Sequence, residues 1–150
     1  MRGVLHADGG ARGNPGPAGI GVVLEDDRGE VIERLGRGIG VATNNVAEYK
    51  ALIAGLELAL ARGVTDLQVF LDSELVVSQT KGEWKIKNDS LRALAARASS
   101  LLQQFDSFSI AHVTRDRNAD ADKLANEGMD EAEAELGDSH GGPEQASFLD

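Results

Sequence analysis

In the first forty residues, apolar side chains alternate with small or polar ones, which predicts three consecutive β-strands. Residues 3–8 form a short strand that ends in Asp8, and residues 19–26 and 30–39 form an antiparallel hairpin around a turn at 26–29. Residues 9–19, between the first two strands, are rich in glycine and proline. We therefore expect a loop there.

From Thr43 onward, the apolar positions change to helical spacing. Thr43 or Asn44 can cap a long helix in which Ala47 and Ala51 recur one turn apart and which ends at Gly63. The other predicted elements are a strand at 66–72, helices at 73–82 and 89–105, a strand at 107–115 and a helix at 118–136. The order β-β-β-α-β-α-α-β-α predicts an α/β fold, with helices packed on a five-stranded mixed sheet.

The length and composition restrict the class of protein. A chain of 150 residues fits one domain with a single core, and without cysteine it contains neither disulfides nor thiolate–zinc sites. No apolar run approaches the roughly 18–20 residues of a membrane span, and the N-terminus lacks the features of a signal peptide. We therefore expect a cytoplasmic protein that does not contact a membrane.

The net charge of −10 disagrees at first with binding of nucleic acid, but the acidic residues are unevenly distributed. Eight of the 25 lie after residue 126, where there is no Lys or Arg, so residues 1–126 carry 17 acidic against 15 basic side chains, a net charge of −2. Residues 136–150 are rich in glycine and acidic residues. We expect a folded domain at 1–135 and a disordered tail at 136–150.

Four acidic residues lie in four separate segments, each where it could face a shared cleft. Asp8 and Asp72 end two strands, Glu48 lies one turn into the first helix, and Asp122 lies near the start of the last helix. Ligands of such sheets gather beyond strand ends. Clustered carboxylates repel one another unless cations hold them, and oxygen ligands suit Mg²⁺ or Mn²⁺. If the four converge, the chain is a metal-dependent phosphoryl-transfer enzyme.

Each of these acidic residues also has a purely structural interpretation. Asp72 can cap the short helix that follows it, and Glu48 can simply complement the dipole of its helix. In the last helix Asp120 is a second candidate, about 200° away from Asp122 around the axis. Asp122 flanks the core-facing side near Ala125, so helical geometry favours Asp122 without excluding Asp120.

Five segments carry a specific family resemblance. They are DGGARGNPGPAGIG at 8–21, TNNVAEYKALIAGL at 43–56, DSELVV at 72–77, GEWKIKN at 82–88 and HVTRDRNADADKLAN at 112–126. In this order they resemble ribonuclease HI, and the archaeal and actinobacterial-type branch in particular, over residues 3–130. The resemblance implies a ribonuclease H-like fold. It also implies endonucleolytic hydrolysis of the RNA strand of an RNA–DNA hybrid, leaving 5′-phosphate and 3′-hydroxyl ends.

The same resemblance implies a metal site made of Asp8, Glu48, Asp72 and Asp122, and it selects Asp122 over Asp120. It implies two Mg²⁺ ions, for which Mn²⁺ can substitute, with Asp8 bridging both. Asp122 then helps to hold the ion on the side of the attacking water, and the other two carboxylates serve the second ion.

The resemblance further implies contacts with the substrate. Equivalents of Asn14 and Asn44 contact the minor groove, where the 2′-hydroxyl distinguishes RNA from DNA. Trp84, beside two lysines, either covers the edge of the core or lines the track of the DNA strand. Arg115 matches the arginine that this branch has where many relatives carry a mobile histidine. The other predicted contacts are Gly10, Ala11, Arg12, Thr43, Asn45, Glu74, Lys85 and Lys87, although a carboxylate at position 74 is unfavourable near phosphates.

Two other functions are compatible with the acidic pattern. A resolvase- or exonuclease-like nuclease of the wider superfamily shares the acidic geometry, but it would not be expected to carry TNNVAEYKAL or HVTRDRN. A non-catalytic hybrid-binding module would gain nothing from carboxylates clustered near phosphates. We therefore expect an RNA–DNA hybrid as the partner of a monomeric enzyme, and the resemblance leaves double-stranded RNA open as a second substrate.

Overall fold

The computed structural model describes residues 1–141, which form one mixed sheet with helices on both faces. The strands are β1 (Arg2–Ala11), β2 (Gly16–Asp26), β3 (Val31–Ala42), β4 (Asp66–Leu71) and β5 (Ser107–His112). The helices are α1 (Asn44–Ala61), α2 (Glu74–Thr80), α3 (Asp89–Leu102) and α4 (Ala119–Gly141), and a 3₁₀ turn (Arg115–Asn118) precedes α4. The predicted order of elements is confirmed.

The sheet has the strand order β3-β2-β1-β4-β5. The first three strands pair in antiparallel fashion, and β1, β4 and β5 pair in parallel. A mixed five-stranded sheet was predicted, and the structure confirms it. Because β1 and β4 pair in parallel, the carboxyl ends of their paired segments lie at the same edge of the sheet.

The prediction of a loop over residues 9–19 is wrong, because β1 continues through Ala11 and β2 already begins at Gly16. Gly9 and Gly10 pair with Ile20 and Gly19 in the antiparallel ladder. A Cβ on Gly9 would lie 2.2 Å from the carbonyl oxygen of Ala47. These glycines therefore allow close packing of a strand rather than a turn.

Two helical layers enclose the sheet. On one face, α1 and α3 cover a core that includes Leu5, Leu56, Val69 and Leu102. On the other face, α4 packs on β1, β2 and β3. This approach is close because β2 and β3 present glycines to the helix at positions 19, 21, 36 and 38. The glycines thereby determine how closely α4 approaches the sheet.

We expect Gly21→Ala to lower the free energy of unfolding by about 2 kcal/mol or more. Its Cβ would lie 2.1 Å from the carbonyl oxygen of Ala121 and 2.5 Å from the backbone nitrogen of Ala125, so α4 must move. Urea denaturation measures the effect. Gly137→Ala is the control, because its Cβ meets nothing within 4 Å and alanine favours the helix. Equal stabilities of Gly21→Ala and the wild type would contradict this account of the packing.

The C-terminal elements differ from the prediction in their limits. The strand β5 ends at His112 instead of 115, and α4 continues to Gly141, beyond the expected domain boundary at residue 135. The remaining residues of the predicted tail, 142–150, lie outside the described residues, and the boundary stays a prediction. Among residues 1–141, no helix is long and apolar enough to cross a membrane.

Candidate active site

Three of the predicted acidic residues come together at one edge of the sheet. Asp8, Glu48 and Asp72 each contribute a carboxylate oxygen to a group in which all the oxygens lie within 4.8 Å of one another. The parallel ladder between β1 and β4 ends at the pair Ala7–Leu71, so Asp8 and Asp72 directly follow it. Asp8 was expected at the end of its strand but lies within β1, since that strand continues along β2.

The helix α1 brings Glu48 to the two aspartates. The backbone N–H of Gly9 donates a hydrogen bond to Oε1 of Glu48 at 2.6 Å. This bond requires the close approach of β1 and α1 that a glycine permits. Asp72 does not cap α2, because the side chain of Ser73 accepts the hydrogen bond from the N–H of Val76. The carboxylate of Asp72 is therefore available to the cluster.

The three carboxylates are too buried and too close to one another for all of them to be charged. The pKa of Asp8 is raised from 3.8 to about 10, first by burial and then by the charges of Glu48 and Asp72. The pKa of Glu48 is raised from 4.5 to about 7, mainly by burial, although hydrogen bonds with Asp8 and Gly9 lower it. In the metal-free protein at neutral pH, Asp8 therefore retains a proton.

The chemistry of this cluster fits a divalent metal ion. Its ligands are hard carboxylate oxygens, as Mg²⁺ and similar ions prefer. The side chain of Asp72 is 5% exposed, and its Oδ2 has no hydrogen-bond partner among the described residues. The nearest cation to that oxygen is Arg115, whose Nε lies 3.6 Å away, too far for a hydrogen bond. A cation at the cluster would satisfy this oxygen and relieve the repulsion.

Asp122 lines the same cleft from the side of α4. The cleft has a volume of about 490 Å³, and Asp8, Glu48, Asp72 and Arg115 also line it. Asp122 is not within the group of three close carboxylates. Asp120 lines a separate cavity of about 200 Å³. The structure thus places Asp122, and not Asp120, in the cleft, as helical geometry favoured.

Comparison with known proteins identifies the family. The model of the reverse transcriptase-like family matches residues 6–128. Ribonuclease HI of Halobacterium salinarum is 48% identical over 132 residues, which are 87% of this chain and 66% of that protein. Its crystal structure superposes with a TM-score of 0.86, covering 88% of this chain and all of that one at 47% identity. The chain belongs to the ribonuclease H family.

Two further relatives of this ribonuclease H chain are informative. A bifunctional protein of Mycobacterium tuberculosis is 50% identical over 133 residues, 88% of this chain, but the chain spans only 36% of that relative. The N-terminal RNase H domain of that protein superposes with a TM-score of 0.88 at 46% identity, covering 91% of this chain and 99% of the domain. LC11-RNase H1, solved in complex with an RNA/DNA hybrid, superposes with a TM-score of 0.82 at 41% identity. The superposition covers 87% of this chain and 98% of that one.

The predicted substrate contacts of this ribonuclease H chain lie in two places. Gly10, Ala11, Arg12, Asn44 and Asn45 line the cleft with the carboxylates. Thr43 caps α1 by accepting a hydrogen bond from the N–H of Val46, and Asn14 bonds to the backbone of Asn44. Outside the cleft, Glu74 is exposed in the first turn of α2. The remaining three, Trp84, Lys85 and Lys87, are exposed in the connector between α2 and α3.

Asn14 and Asn44 each use one end of the side chain within the protein. Oδ1 of Asn44 accepts from the N–H of Ala11 at 2.8 Å, and Oδ1 of Asn14 accepts from the N–H of Asn44 at 3.0 Å. These bonds connect the end of β1, the following loop and the start of α1. Both NH₂ groups are left as donors that a nucleic acid could engage.

Arg12 is held by α4. Its guanidinium pairs with Asp130 at 2.5 Å and with Glu133 at 3.3 Å, and these carboxylates raise the pKa of Arg12. No local pattern predicts this pairing, because the partners of Arg12 lie more than a hundred residues further along the chain. That Arg12 contacts the substrate stays a prediction, as do the roles of the other site residues.

Three residues that line the cleft were not predicted: Gly9, Asn126 and Met129. Asn126 and Met129 follow Asp122 at intervals of four and three residues, so helical spacing counted from Asp122 could have found them. For Gly9 no local signal separates its role from that of a turn glycine. Its importance depends on α1, which approaches it from elsewhere in the chain.

Proposed function

We propose that this chain is an endoribonuclease that hydrolyses the RNA strand of RNA–DNA hybrids and leaves 5′-phosphate and 3′-hydroxyl ends. The observation that carries the proposal is the cluster of Asp8, Glu48 and Asp72 in an open cleft. Carboxylates with raised pKa values at a cleft indicate a functional site, because repulsion makes such a cluster costly for the fold alone. The hybrid complex of LC11-RNase H1 supports the choice of substrate.

We propose that Asp8, Glu48 and Asp72 hold Mg²⁺, for which Mn²⁺ can substitute, and that Asp122 completes the ligand set. When bound, such cations lower the pKa of the attacking water and stabilise the departing 3′-oxygen. The hydrogen bond from Gly9 orients the carboxylate of Glu48, and Asp8, which is buried and is affected by the charges of both other carboxylates, would be the central ligand of a bound cation.

The amide groups of Asn14 and Asn44 are suited to the minor groove of the hybrid, which displays base acceptors and 2′-hydroxyls. Arg115 is 80% exposed at the rim of the cleft, where it can reach a phosphate. Trp84 is 46% exposed, so its ring is available to stack against the DNA strand beside Lys85 and Lys87.

Cleavage of a labelled hybrid tests the proposed function. Hybrid, double-stranded RNA, single-stranded RNA and double-stranded DNA of one sequence are incubated with the protein in Mg²⁺, in Mn²⁺ and in EDTA. We expect internal cuts in the RNA of the hybrid, only with a cation, and RNA ends that a ligase accepts. Binding without cleavage in either cation would indicate a non-catalytic module. Cleavage of double-stranded DNA instead would indicate another nuclease of the superfamily.

We expect Lys85→Ala and Lys87→Ala each to weaken hybrid binding and to reduce the slope of log affinity against log salt by about 1. Each lysine neutralises one phosphate in this proposal. Fluorescence anisotropy in EDTA measures binding without cleavage. The control is Arg28→Ala, which removes one positive charge from the exposed turn between β2 and β3, at the other end of the sheet. A slope that is unchanged in both lysine variants would exclude the connector as a track for the DNA strand.

The expected cytoplasmic location and monomeric state stay predictions from the sequence. Cleavage of double-stranded RNA is one arm of the experiment above. It is not part of the proposed function, because no feature of the cleft favours it.

A further inference from the structure

One buried polar side chain connects α4 to β1. Asn118 is 1% exposed and is the last residue of the 3₁₀ turn that precedes α4. Its Nδ2 donates a hydrogen bond to the carbonyl oxygen of Ala7 at 2.9 Å, and its Oδ1 lies 3.1 Å from Nδ1 of His6. Both partners belong to β1, and Ala7 directly precedes Asp8. Asn118 therefore joins the start of α4 to the backbone beside the carboxylate cluster.

The hydrogen bonds of Asn118 determine the orientation of its amide and make Nδ1 of His6 a donor. If the amide were reversed, its oxygen would face the carbonyl oxygen of Ala7, so the NH₂ group must point there. The oxygen then faces His6, whose Nδ1 must carry a proton to donate. The ring of His6 stacks on Phe70, with centroids 5.4 Å apart. The side chain of Asn118 is thus held at both ends of its amide by groups of β1.

This arrangement lies directly behind the cluster. Side chains alternate along a strand, so His6 and Asp8 point to the same face of the sheet, as do Phe70 and Asp72. The register of β1 and β4 pairs His6 with Phe70. His6 and Phe70 therefore form the row of side chains behind Asp8 and Asp72, and Asn118 packs against this row.

We propose that Asn118 is a positioning residue that acts through Asp122. Asp122 lies four residues after Asn118, one turn along α4, so a shift of the start of the helix moves Asp122 relative to the three carboxylates of the sheet. This inference rests on the proposed function, in which Asp122 is a metal ligand. Farther along, the middle of α4 is held on the sheet by its close contacts with Gly19 and Gly38. Loss of Asn118 therefore displaces Asp122 while the helix stays on the sheet.

Steady-state cleavage of the hybrid at saturating Mg²⁺ tests whether Asn118 affects the chemical step. We expect Asn118→Ala to lower kcat on the order of 10-fold with KM within about 2-fold, because small displacements of a catalytic group are costly. His6→Phe keeps a ring on Phe70 and the bond between Asn118 and Ala7, so a loss of about 3-fold is expected.

A control separates positioning from stability. Val64→Ala shortens a side chain that is 3% exposed and packs against Gly3, at the other end of β1 from Asp8. It is expected to lower Tm as Asn118→Ala does, with kcat unchanged. An equal loss of kcat in Val64→Ala and Asn118→Ala at equal Tm would assign a merely structural role to Asn118. Should Asn118→Ala fail to fold, His6→Phe carries the same comparison.

A double-mutant cycle tests the route through Asp122. In an Asp122→Asn background, Asn118→Ala should reduce single-turnover cleavage by less than about 2-fold further, because the positioned carboxylate is already absent. In an Arg115→Ala background it should keep its full effect. Full additivity with Asp122→Asn, or coupling to Arg115 alone, would overturn the proposal.

Titration with Mg²⁺ and Mn²⁺ by calorimetry gives a readout that is independent of turnover. The first cation should bind Asn118→Ala as tightly as the wild type, within about 2-fold, because none of Asp8, Glu48 and Asp72 lies on α4. Weaker binding of the first cation would place the effect of Asn118 on the sheet instead. A wild type that binds cations but does not cleave the hybrid would remove the proposed function and this inference together. A wild type that cleaves, combined with an additive cycle, would remove only this inference.

Discussion

Asp8→Asn is expected to reduce cleavage of the hybrid on the order of 10³-fold or more, while binding of the hybrid in EDTA stays within about 2-fold of the wild type. Asp8 is the most central of the three clustered carboxylates, since the charges of both Glu48 and Asp72 raise its pKa. An amide in its place keeps the shape but cannot serve as an anionic ligand. Single-turnover cleavage in Mg²⁺ and anisotropy in EDTA measure the two quantities.

The matched control for this substitution is Asp120→Asn. It makes the same chemical change at an exposed residue that lines a different cavity. Its activity should stay within about 2-fold of the wild type, because surface substitutions away from special features have small effects. Cleavage by Asp8→Asn at a rate near that of Asp120→Asn would show that the carboxylate cluster is not the catalytic site.

The order of the elements could be predicted because hydrophobic periodicity is a local property. Alternation in β2 and the spacing of Ala47 and Ala51 in α1 are visible without knowledge of any partner. The end of β1 could not be predicted in this way. Gly9 and Gly10 have the composition of a turn, and only the approach of α1 and α4 makes glycine necessary within a strand. Glycine therefore gives an ambiguous signal wherever packing, and not backbone conformation, requires it.

The candidate site shows the same division between local and long-range information. Asp8 and Asp72 could be predicted to lie close together, because each follows a segment that a crossover connection makes parallel to the other. The hydrogen bond from Gly9 to Glu48, the pairing of Arg12 with Asp130, and the bonds of Asn118 to β1 could not. Each joins residues that are distant in the sequence, and each depends on which faces of the helices meet the sheet. An asparagine before a helix is more simply interpreted as a cap.

The acidity of the chain and the acidity of the site are different properties. The three clustered carboxylates are buried or partly buried, and their repulsion acts at short range. Most acidic residues of α4 whose side chains the structure describes are exposed, and two of them, Asp130 and Glu133, pair with Arg12. Solvent and salt screen such exposed charges, so they contribute little to the pKa values at the cluster. The cluster therefore favours a bound cation even in a body whose net charge is close to zero.

In the absence of divalent metal, Asp8→Asn is expected to make the protein more stable than the wild type at pH 8, by about 2 kcal/mol or more. The pKa of Asp8 is about 10 in the folded protein and near its ordinary value of 3.8 when unfolded. Between these values the folded state binds more protons, so the wild type loses stability as the pH rises. Asparagine has no proton to lose, and its contribution does not change.

The pH and metal dependence of this difference test its cause. Urea denaturation in EDTA should show nearly equal stabilities of Asp8→Asn and the wild type at pH 4. At that pH Asp8 is largely protonated in the folded wild type and about half protonated when unfolded. The difference in stability should grow toward pH 8. Adding Mg²⁺ at pH 8 should narrow it, because a cation that binds only the folded state stabilises the wild type more. Most substitutions of buried residues destabilise proteins, so a gain in stability is a distinctive result. A less stable Asp8→Asn protein at pH 8 in EDTA would mean that the carboxylate cluster does not destabilise the metal-free fold. Repulsion among the carboxylates would then be no argument for a metal site.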